Sequence, residues 1–85
     1  MSEFRIEYLP RVTREDIPAL DNSIALRIKA SIATKLSKDP YSFGKPLRYS
    51  LKNTWTLRVG DWRVFFEVKK QTVTILAIRH RSQAY

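Results

Sequence analysis

Apolar and polar residues alternate at the beginning of the chain. Phe4, Ile6 and Tyr8 are separated by charged residues. This alternation is typical of a strand with one buried face, and Pro10 ends it because proline has no N–H to give to a sheet. The pattern predicts a first strand over about residues 3–9.

The next segment has the residue types of a short helix. We predict this helix from about Thr13 to Leu20, since Glu15 and Asp16 in its first turn suit the positive end of the helix dipole. Pro18 must lie near its start because proline has no N–H to donate.

A longer helix is predicted from Asp21 or Asn22, either of which can cap it, to about Ser37. Asp39-Pro40 ends it, because a proline disfavours the helical conformation of the residue before it. Apolar residues at spacings of three and four form one face that should pack on a sheet: Ala25, Ile28, Ile32 and Leu36.

Residues 39–53 combine a glycine and two prolines with basic residues. Proline and glycine break regular structure, so this segment is predicted as a loop. It presents three cations: Lys45, Arg48 and Lys52.

Three strand-like segments follow in close succession. Alternation of apolar and polar residues predicts strands over residues 54–59, 62–68 and 72–79. Gly60-Asp61 suits a two-residue turn of type II′, which needs glycine at its first central position. Lys69-Lys70-Gln71 forms the second connection.

The order of these elements, β-α-α-β-β-β, predicts an α+β fold. A small, twisted, mostly antiparallel sheet should carry the two N-terminal helices on one face. The 85 residues are enough for one domain, residues 1–85. Hydrophobic residues make up 44% and charged residues 28%, which is typical of an ordinary globular protein.

Positive charge is concentrated in the second half of the chain. The net charge is +8, from 16 Lys/Arg and 8 Asp/Glu. Residues 1–43 hold seven basic and six acidic residues, a net of +1, whereas residues 44–85 hold nine and two, a net of +7. Such an excess favours a polyanionic partner, with nucleic acid first and an acidic protein segment second. Solubility alone is the other explanation.

The composition excludes several classes of protein. There is no cysteine, which rules out disulfides and thiolate zinc sites and fits a cytoplasmic protein. The longest apolar runs are far shorter than the roughly 20 residues that cross a bilayer, and the N-terminus has no signal-peptide pattern. A single histidine and scattered carboxylates do not make a metal site, so we expect no metal and no cofactor.

Two arginines should face each other across the first hairpin. If Val59 and Trp62 flank the turn, the register places Arg58 opposite Arg63. Directly opposed like charges destabilise a sheet, which suggests that a negative ligand binds between them. The alternative is that both side chains extend into water, at little cost.

The C-terminal residues add further groups with phosphate chemistry. Arg79, His80, Arg81 and Tyr85 follow closely in "AIRHRSQAY" and are predicted to lie beside Arg58 and Arg63 on the polar face of the sheet. Guanidinium groups stabilise a phosphorane-like transition state, and His or Tyr moves a proton. RNA supplies its own nucleophile, the 2′-OH, so the set suggests metal-independent RNA cleavage.

Two sequence runs resemble a known family. "FGKPLRYSLKNTWTLRVGDWRVFFEV" and "VTILAIRHRSQAY" are similar to the RelE/ParE superfamily of type II toxin–antitoxin toxins. Its pattern is a basic approach, a Trp/Tyr-led strand, a Gly-Asp-Tyr/Trp-Arg hairpin, and a last strand leading into basic residues and Tyr. The resemblance implies the RelE-like microbial RNase architecture.

The resemblance also implies roles for individual residues. Arg63 would hold the scissile phosphate, Arg79 would aid the leaving group or the transition state, and Tyr85 would act as base or orient the nucleotide. Arg58 occupies a lysine position of the RelE pattern, and Thr56 occupies another. This departure leaves the general base open between His80 and Tyr85.

The superfamily serves two functions, and both remain open from the sequence. RelE-like members cleave mRNA in the ribosomal A site, which implies that Lys45, Arg48, Lys52 and Arg81 contact ribosomal RNA or the message. ParE-like members poison DNA gyrase without nuclease activity. A third possibility, outside both, is a general RNA-binding module that binds RNA but does not cut it. Either toxin function implies a cognate RelB-like or similar protein antitoxin in a hetero-oligomer. We expect the ribosome-dependent endoribonuclease, because an RNase needs Arg63, Arg79 and Tyr85 together.

Overall fold

The computed structural model describes residues 3–47 and 53–83. Its strands form one sheet in the order β1-β5-β4-β3-β2, in which β1 is parallel to β5 and every other neighbouring pair is antiparallel. The α+β class and the mostly antiparallel sheet are confirmed. The strands are β1 (Arg5–Tyr8), β2 (Lys45–Pro46), β3 (Thr54–Val59), β4 (Trp62–Lys69) and β5 (Thr72–His80).

The helical segments all lie between β1 and β2 in the chain. They are a π-helical turn (Val12–Asp16), helix α1 (Asn22–Ser31), a second π-helical turn that continues α1 (Ile32–Leu36), and helix α2 (Pro40–Phe43). The first helix predicted from the sequence is therefore reduced to one wide turn. The second is confirmed nearly over its full length, although its last turn is wider than an α-helix.

Helix α1 begins after Asp21, one of the two predicted capping residues. The Asp21 carbonyl accepts a hydrogen bond from the Ala25 N–H at 2.8 Å, but the Asp21 side chain makes no capping hydrogen bond. Asp21 is therefore the N-cap residue, as predicted, and its carbonyl accepts the first hydrogen bond of the helix, while its side chain does not contribute.

Helix α2 and strand β2 occupy a segment predicted as a loop. Asp39-Pro40 ends the preceding helical segment, as predicted, but it also starts a new helix. The Asp39 side chain accepts a hydrogen bond from the Ser42 N–H at 3.2 Å, and Pro40 takes the first helical position, where its missing N–H costs nothing. The predicted cations Arg48 and Lys52 lie outside the described residues.

The core lies between the helical segments and one face of the sheet. Phe66 is fully buried at its centre, and Trp62 packs against it from the hairpin end, as their alternation predicted. Of the predicted helix face, only Ala25 is not fully buried. The buried apolar residues are Val12, Ile28, Ile32, Leu36, Leu57, Val59, Val64, Phe66, Val68, Val73, Ile75 and Ile78.

A bulge in β5 changes which residues face the core. Phe65 pairs with Ala77 and Phe66 pairs with Ile75, so that Leu76 has no partner on β4. Strict alternation from Ile75 would place Arg79 on the core side. Because the bulge inserts one residue, Ile75 and Ile78 both face the core and Arg79 points to the opposite face.

A substitution at Gly44 tests how closely the chain after α2 packs against the sheet. A Cβ at Gly44 would lie 2.5 Å from Phe66 Cζ and 2.9 Å from the Pro40 carbonyl oxygen. We expect Gly44→Ala to lower the free energy of unfolding by about 2 kcal/mol, because overpacking a buried position forces strain on its neighbours. Urea unfolding measures this loss.

Gly60→Ala is the control for a clash-free site. Gly60 has a φ of +61°, and a Cβ there would meet only the Arg27 guanidinium at 3.4 Å. Its cost should be roughly 1 kcal/mol, from backbone conformation alone. Wild-type stability in Gly44→Ala would contradict the close approach of Gly44 to Phe66.

Candidate functional site

Three arginines lie side by side on the sheet face opposite the core. Arg58 on β3 pairs with Arg63 on β4, and Arg63 pairs with Arg79 on β5. Paired residues of antiparallel strands point to the same face, with Cα atoms about 5 Å apart. We call these residues the arginine row and their side of the sheet the arginine face. The predicted pairing of Arg58 with Arg63 is confirmed.

Arg63 is the central and most buried member of the row. Only 9% of its surface is exposed, and its Nη1 is buried and has no hydrogen-bond partner among residues 3–47 and 53–83. Leaving a buried donor of a charged group unpaired costs more than about 1 kcal/mol. Its neighbours in the row add positive charge. An anion bound beside Arg63 would reduce the repulsion, and it would satisfy Nη1, which has almost no exposed surface, once the guanidinium moved toward it.

Arg79 is held by an acidic residue from the first π-helical turn. Arg79 Nη1 lies 2.9 Å from Asp16 Oδ2 and also donates to the Ile78 carbonyl at 3.0 Å. The same Asp16 oxygen accepts the Ile78 N–H at 3.0 Å. Asp16 is only 10% exposed and Arg79 is 31% exposed, so water screens this pair weakly. The pair fixes the guanidinium of Arg79 at the β5 end of the row.

A cavity of about 430 Å³ opens beside this ion pair. Glu15, Asp16 and Arg79 line it together with apolar side chains and Gln83. Two carboxylates at one opening disfavour an anion there. The surface on which the arginine row could bind an anion therefore ends at this cavity on its β5 side.

His80 lies on the other face of the sheet from the arginine row. It pairs with Trp62, whose ring centroid is 5.1 Å away in an edge-to-face contact. Its Nδ1 lies 2.9 Å from Ser82 Oγ and accepts the Ser82 N–H at 3.3 Å. The expectation that His80 stands beside Arg58 and Arg63 was wrong, because adjacent strand residues point to opposite faces.

The structure describes two of the remaining predicted basic residues, and they lie apart from each other. Arg81 follows β5, where its Nε lies 4.0 Å from Asp61 Oδ1 with both side chains exposed. Lys45 pairs with Thr56 at the β2 edge of the sheet and is exposed. Tyr85 lies outside the described residues.

Within residues 3–47 and 53–83, no three His, Asp or Glu side chains are placed to hold a metal ion together. The helices in these ranges are all too short or too polar to span a bilayer.

Sequence analysis alone did not single out Asp16 as part of the site. It was interpreted as a first-turn acid near the positive end of a helix dipole. Its contact with Ile78 joins residues 62 positions apart in the chain. No local pattern signals a contact of that separation, so only the folded structure shows it.

The sequence profile of the family described as ParE toxin of type II toxin-antitoxin system, parDE, matches residues 6–85. Toxin RelG of Mycobacterium tuberculosis (strain ATCC 25618 / H37Rv) is 32% identical over 74 residues, which cover 85% of each chain.

Solved structures share the fold. The toxin–antitoxin complex RelBE2 from Mycobacterium tuberculosis matches with a TM-score of 0.84 and 28% identity, over 93% of this chain and 99% of that one. A double arginine-to-alanine mutant of E. coli toxin RelE in the free state matches with a TM-score of 0.76, over 99% and 88%. At 14% identity, that second likeness shows the fold alone.

The Asp16–Arg79 pair makes a testable contribution to stability. We expect Asp16→Ala to lower the free energy of unfolding by about 2 kcal/mol, because the Ile78 N–H and Arg79 both lose an acceptor. Asp16→Asn should lose about 1 kcal/mol, since its amide oxygen can still accept the N–H. Thermal or urea unfolding measures both.

Asp61→Ala is the matched control, because the Asp61–Arg81 pair is exposed and 4.0 Å apart. It should change stability by less than about 0.5 kcal/mol. An equally small effect of Asp16→Ala would contradict a structural role for the Asp16–Arg79 pair.

Proposed function

The chain belongs to the RelE/ParE superfamily of type II toxin–antitoxin toxins, and we propose that it is a ribosome-dependent endoribonuclease that cleaves mRNA in the A site and inhibits translation. The single observation that carries this proposal is the buried, unpaired Nη1 of Arg63 within a row of three arginines. A phosphate diester is the anion that such a row fits, since guanidinium groups match phosphate oxygens in charge and geometry.

The proposed reaction uses the RNA's own 2′-OH as nucleophile. Its oxygen bonds to the adjacent phosphorus while the bond to the 5′-oxygen of the next nucleotide breaks. The products are a 2′,3′-cyclic phosphate and a 5′-OH, so one proton leaves the 2′-OH and one reaches the departing oxygen. Negative charge grows on the phosphate oxygens during attack, and fixed guanidinium groups stabilise that charge.

Each member of the row has a proposed role. Arg63 binds the scissile phosphate, Arg79 stabilises the transition state or the leaving oxygen, and Arg58 binds a neighbouring phosphate. Arginine hardly deprotonates, so proton transfer needs another group. The resemblance favours Tyr85 for this proton transfer, and His80 is excluded from it because His80 lies on the opposite face of the sheet.

The proposal includes partners. The complexes of similar toxins with RelB-type proteins support a proteinaceous antitoxin that forms a hetero-oligomer with this chain. The ribosome and mRNA are the proposed targets in the cytoplasm. The exposed cations Lys45 and Arg81, with Arg48 and Lys52, would contact ribosomal RNA or the message, because clustered Lys and Arg release counterions from phosphates.

A DNA gyrase poison is the alternative function. It is favoured by one observation, the match of residues 6–85 to the ParE family. This function needs a basic surface but no phosphate held at Arg63. A gyrase supercoiling assay with the purified chain separates it from the ribonuclease.

Cleavage of labelled mRNA on programmed ribosomes tests the proposal. The wild-type chain should cut at the A-site codon only when ribosomes are present. Arg79→Ala and Arg63→Lys should each lower the cleavage rate about a hundredfold or more, because each removes a guanidinium group that would stabilise the developing charge.

Arg5→Ala is the matched control, since Arg5 is 75% exposed on the far edge strand β1. Its cleavage rate should equal that of the wild type. No cleavage by wild-type chain, with inhibition of gyrase, would replace the ribonuclease with the alternative function.

A further inference from the structure

A small pocket lies at the outer edge of β3, next to the arginine row. Its volume is about 130 Å³, and we call it the edge pocket. Three of its lining residues are cations and none is acidic, while one is an aromatic ring. They are Lys35, Phe43, Lys45, Thr56, Leu57 and Arg58.

The fold holds Phe43 at the surface of this pocket. Gly44 packs against Phe66, and Lys45 pairs with Thr56, so the backbone on the C-terminal side of Phe43 is fixed. Phe43 nevertheless remains 49% exposed. Lys35 Nζ lies 5.9 Å from the centre of its ring. An exposed ring beside an ammonium group offers stacking and charge at one point.

The edge pocket continues the arginine row. Arg58 belongs to both, and β2 pairs with β3 only at Trp55 and Thr56. The edge of β3 beside Arg58 is therefore not covered by β2. Cations thus run across the sheet from Arg79 through Arg63 and Arg58 to the edge pocket.

The two ends of this line of cations differ in charge. At the β5 end, Asp16 pairs with Arg79, and Glu15 lines the same cavity. At the β3 end, the lining cations of the edge pocket have no carboxylate beside them in the pocket. A polyanion whose phosphate lies at Arg63 is therefore drawn toward β3 and the edge pocket.

We propose that the edge pocket is a nucleotide subsite for single-stranded RNA, in which a base stacks on Phe43 and the adjacent phosphate binds Lys35 and Lys45. The inference rests on the proposed function, because it takes the strand at Arg63 to be RNA. Aromatic rings bind bases of any sequence by stacking, and neighbouring lysines neutralise the backbone. The subsite orients the strand so that it crosses the arginine row toward β3.

Fluorescence anisotropy with a labelled 2′-O-methyl RNA measures this binding without cleavage, because the probe has no 2′-OH nucleophile. Phe43→Ala should weaken binding about tenfold, within the range known for loss of one stacked base. Phe43→Leu should weaken it similarly, and Phe43→Trp should retain wild-type affinity. Leu26→Ala, at a 68% exposed apolar residue on α1, is the control and should change nothing.

A second probe separates stacking from charge. A matched oligomer of abasic ribose phosphates carries the same backbone without bases. Its affinity should not respond to Phe43→Ala. Lys35→Ala should weaken both probes and reduce the slope of log affinity against log salt by about one.

Three results would overturn the subsite. One is unchanged RNA affinity in Phe43→Ala while the wild-type chain still cuts A-site mRNA, which leaves the proposed function intact. Another is unchanged RNA affinity with weakened antitoxin binding, which assigns the pocket to a peptide. A wild-type chain that neither binds the probe nor cuts mRNA would remove the proposed function and the subsite together.

Discussion

The register of β4 against β5 changes at Leu76, and the whole arrangement of the site depends on that change. Val73 and Ile75 face the core on one side of the bulge, and Ile78 faces it on the other. The added residue lets the apolar residues of β5 stay buried while Arg79 turns to the opposite face. Burial of apolar side chains therefore determines which cations are brought together.

Like charges at adjacent positions of a sheet are unfavourable by up to about 1 kcal/mol per pair. The structure accepts two such pairs in one row, Arg58 with Arg63 and Arg63 with Arg79. Asp16 offsets the charge of Arg79, whereas Arg63 keeps a buried donor that no residue in the described part of the chain satisfies. Such a local cost is typical of a ligand site, where the ligand supplies the missing interaction. The family membership makes the chain a type II toxin–antitoxin toxin, and the arginine row supports the proposal that it acts on a phosphate backbone.

Local patterns in the sequence predicted part of this structure. A two-residue turn with glycine first fixes the register of its hairpin, so the facing of Arg58 and Arg63 followed from Gly60-Asp61 alone. The apolar stripe of α1 followed in the same way. The bulge could not be predicted in this way. Leu76 and Ala77 lie in an unbroken run of apolar residues, so the sequence pattern does not show where the alternation shifts by one residue. His80 follows Arg79 directly on β5, so strand alternation alone already places it on the face opposite the arginine row.

Direct observation of an anion at Arg63 tests the central claim. NMR of the arginine side-chain N–H groups during titration with a ribonucleoside 2′,3′-cyclic phosphate resolves each guanidinium. The account predicts saturable shifts at Arg63 and Arg79, with no change at Arg5 on the far edge strand. Shifts confined to exposed lysines, with Arg63 unchanged at saturating ligand, would contradict it.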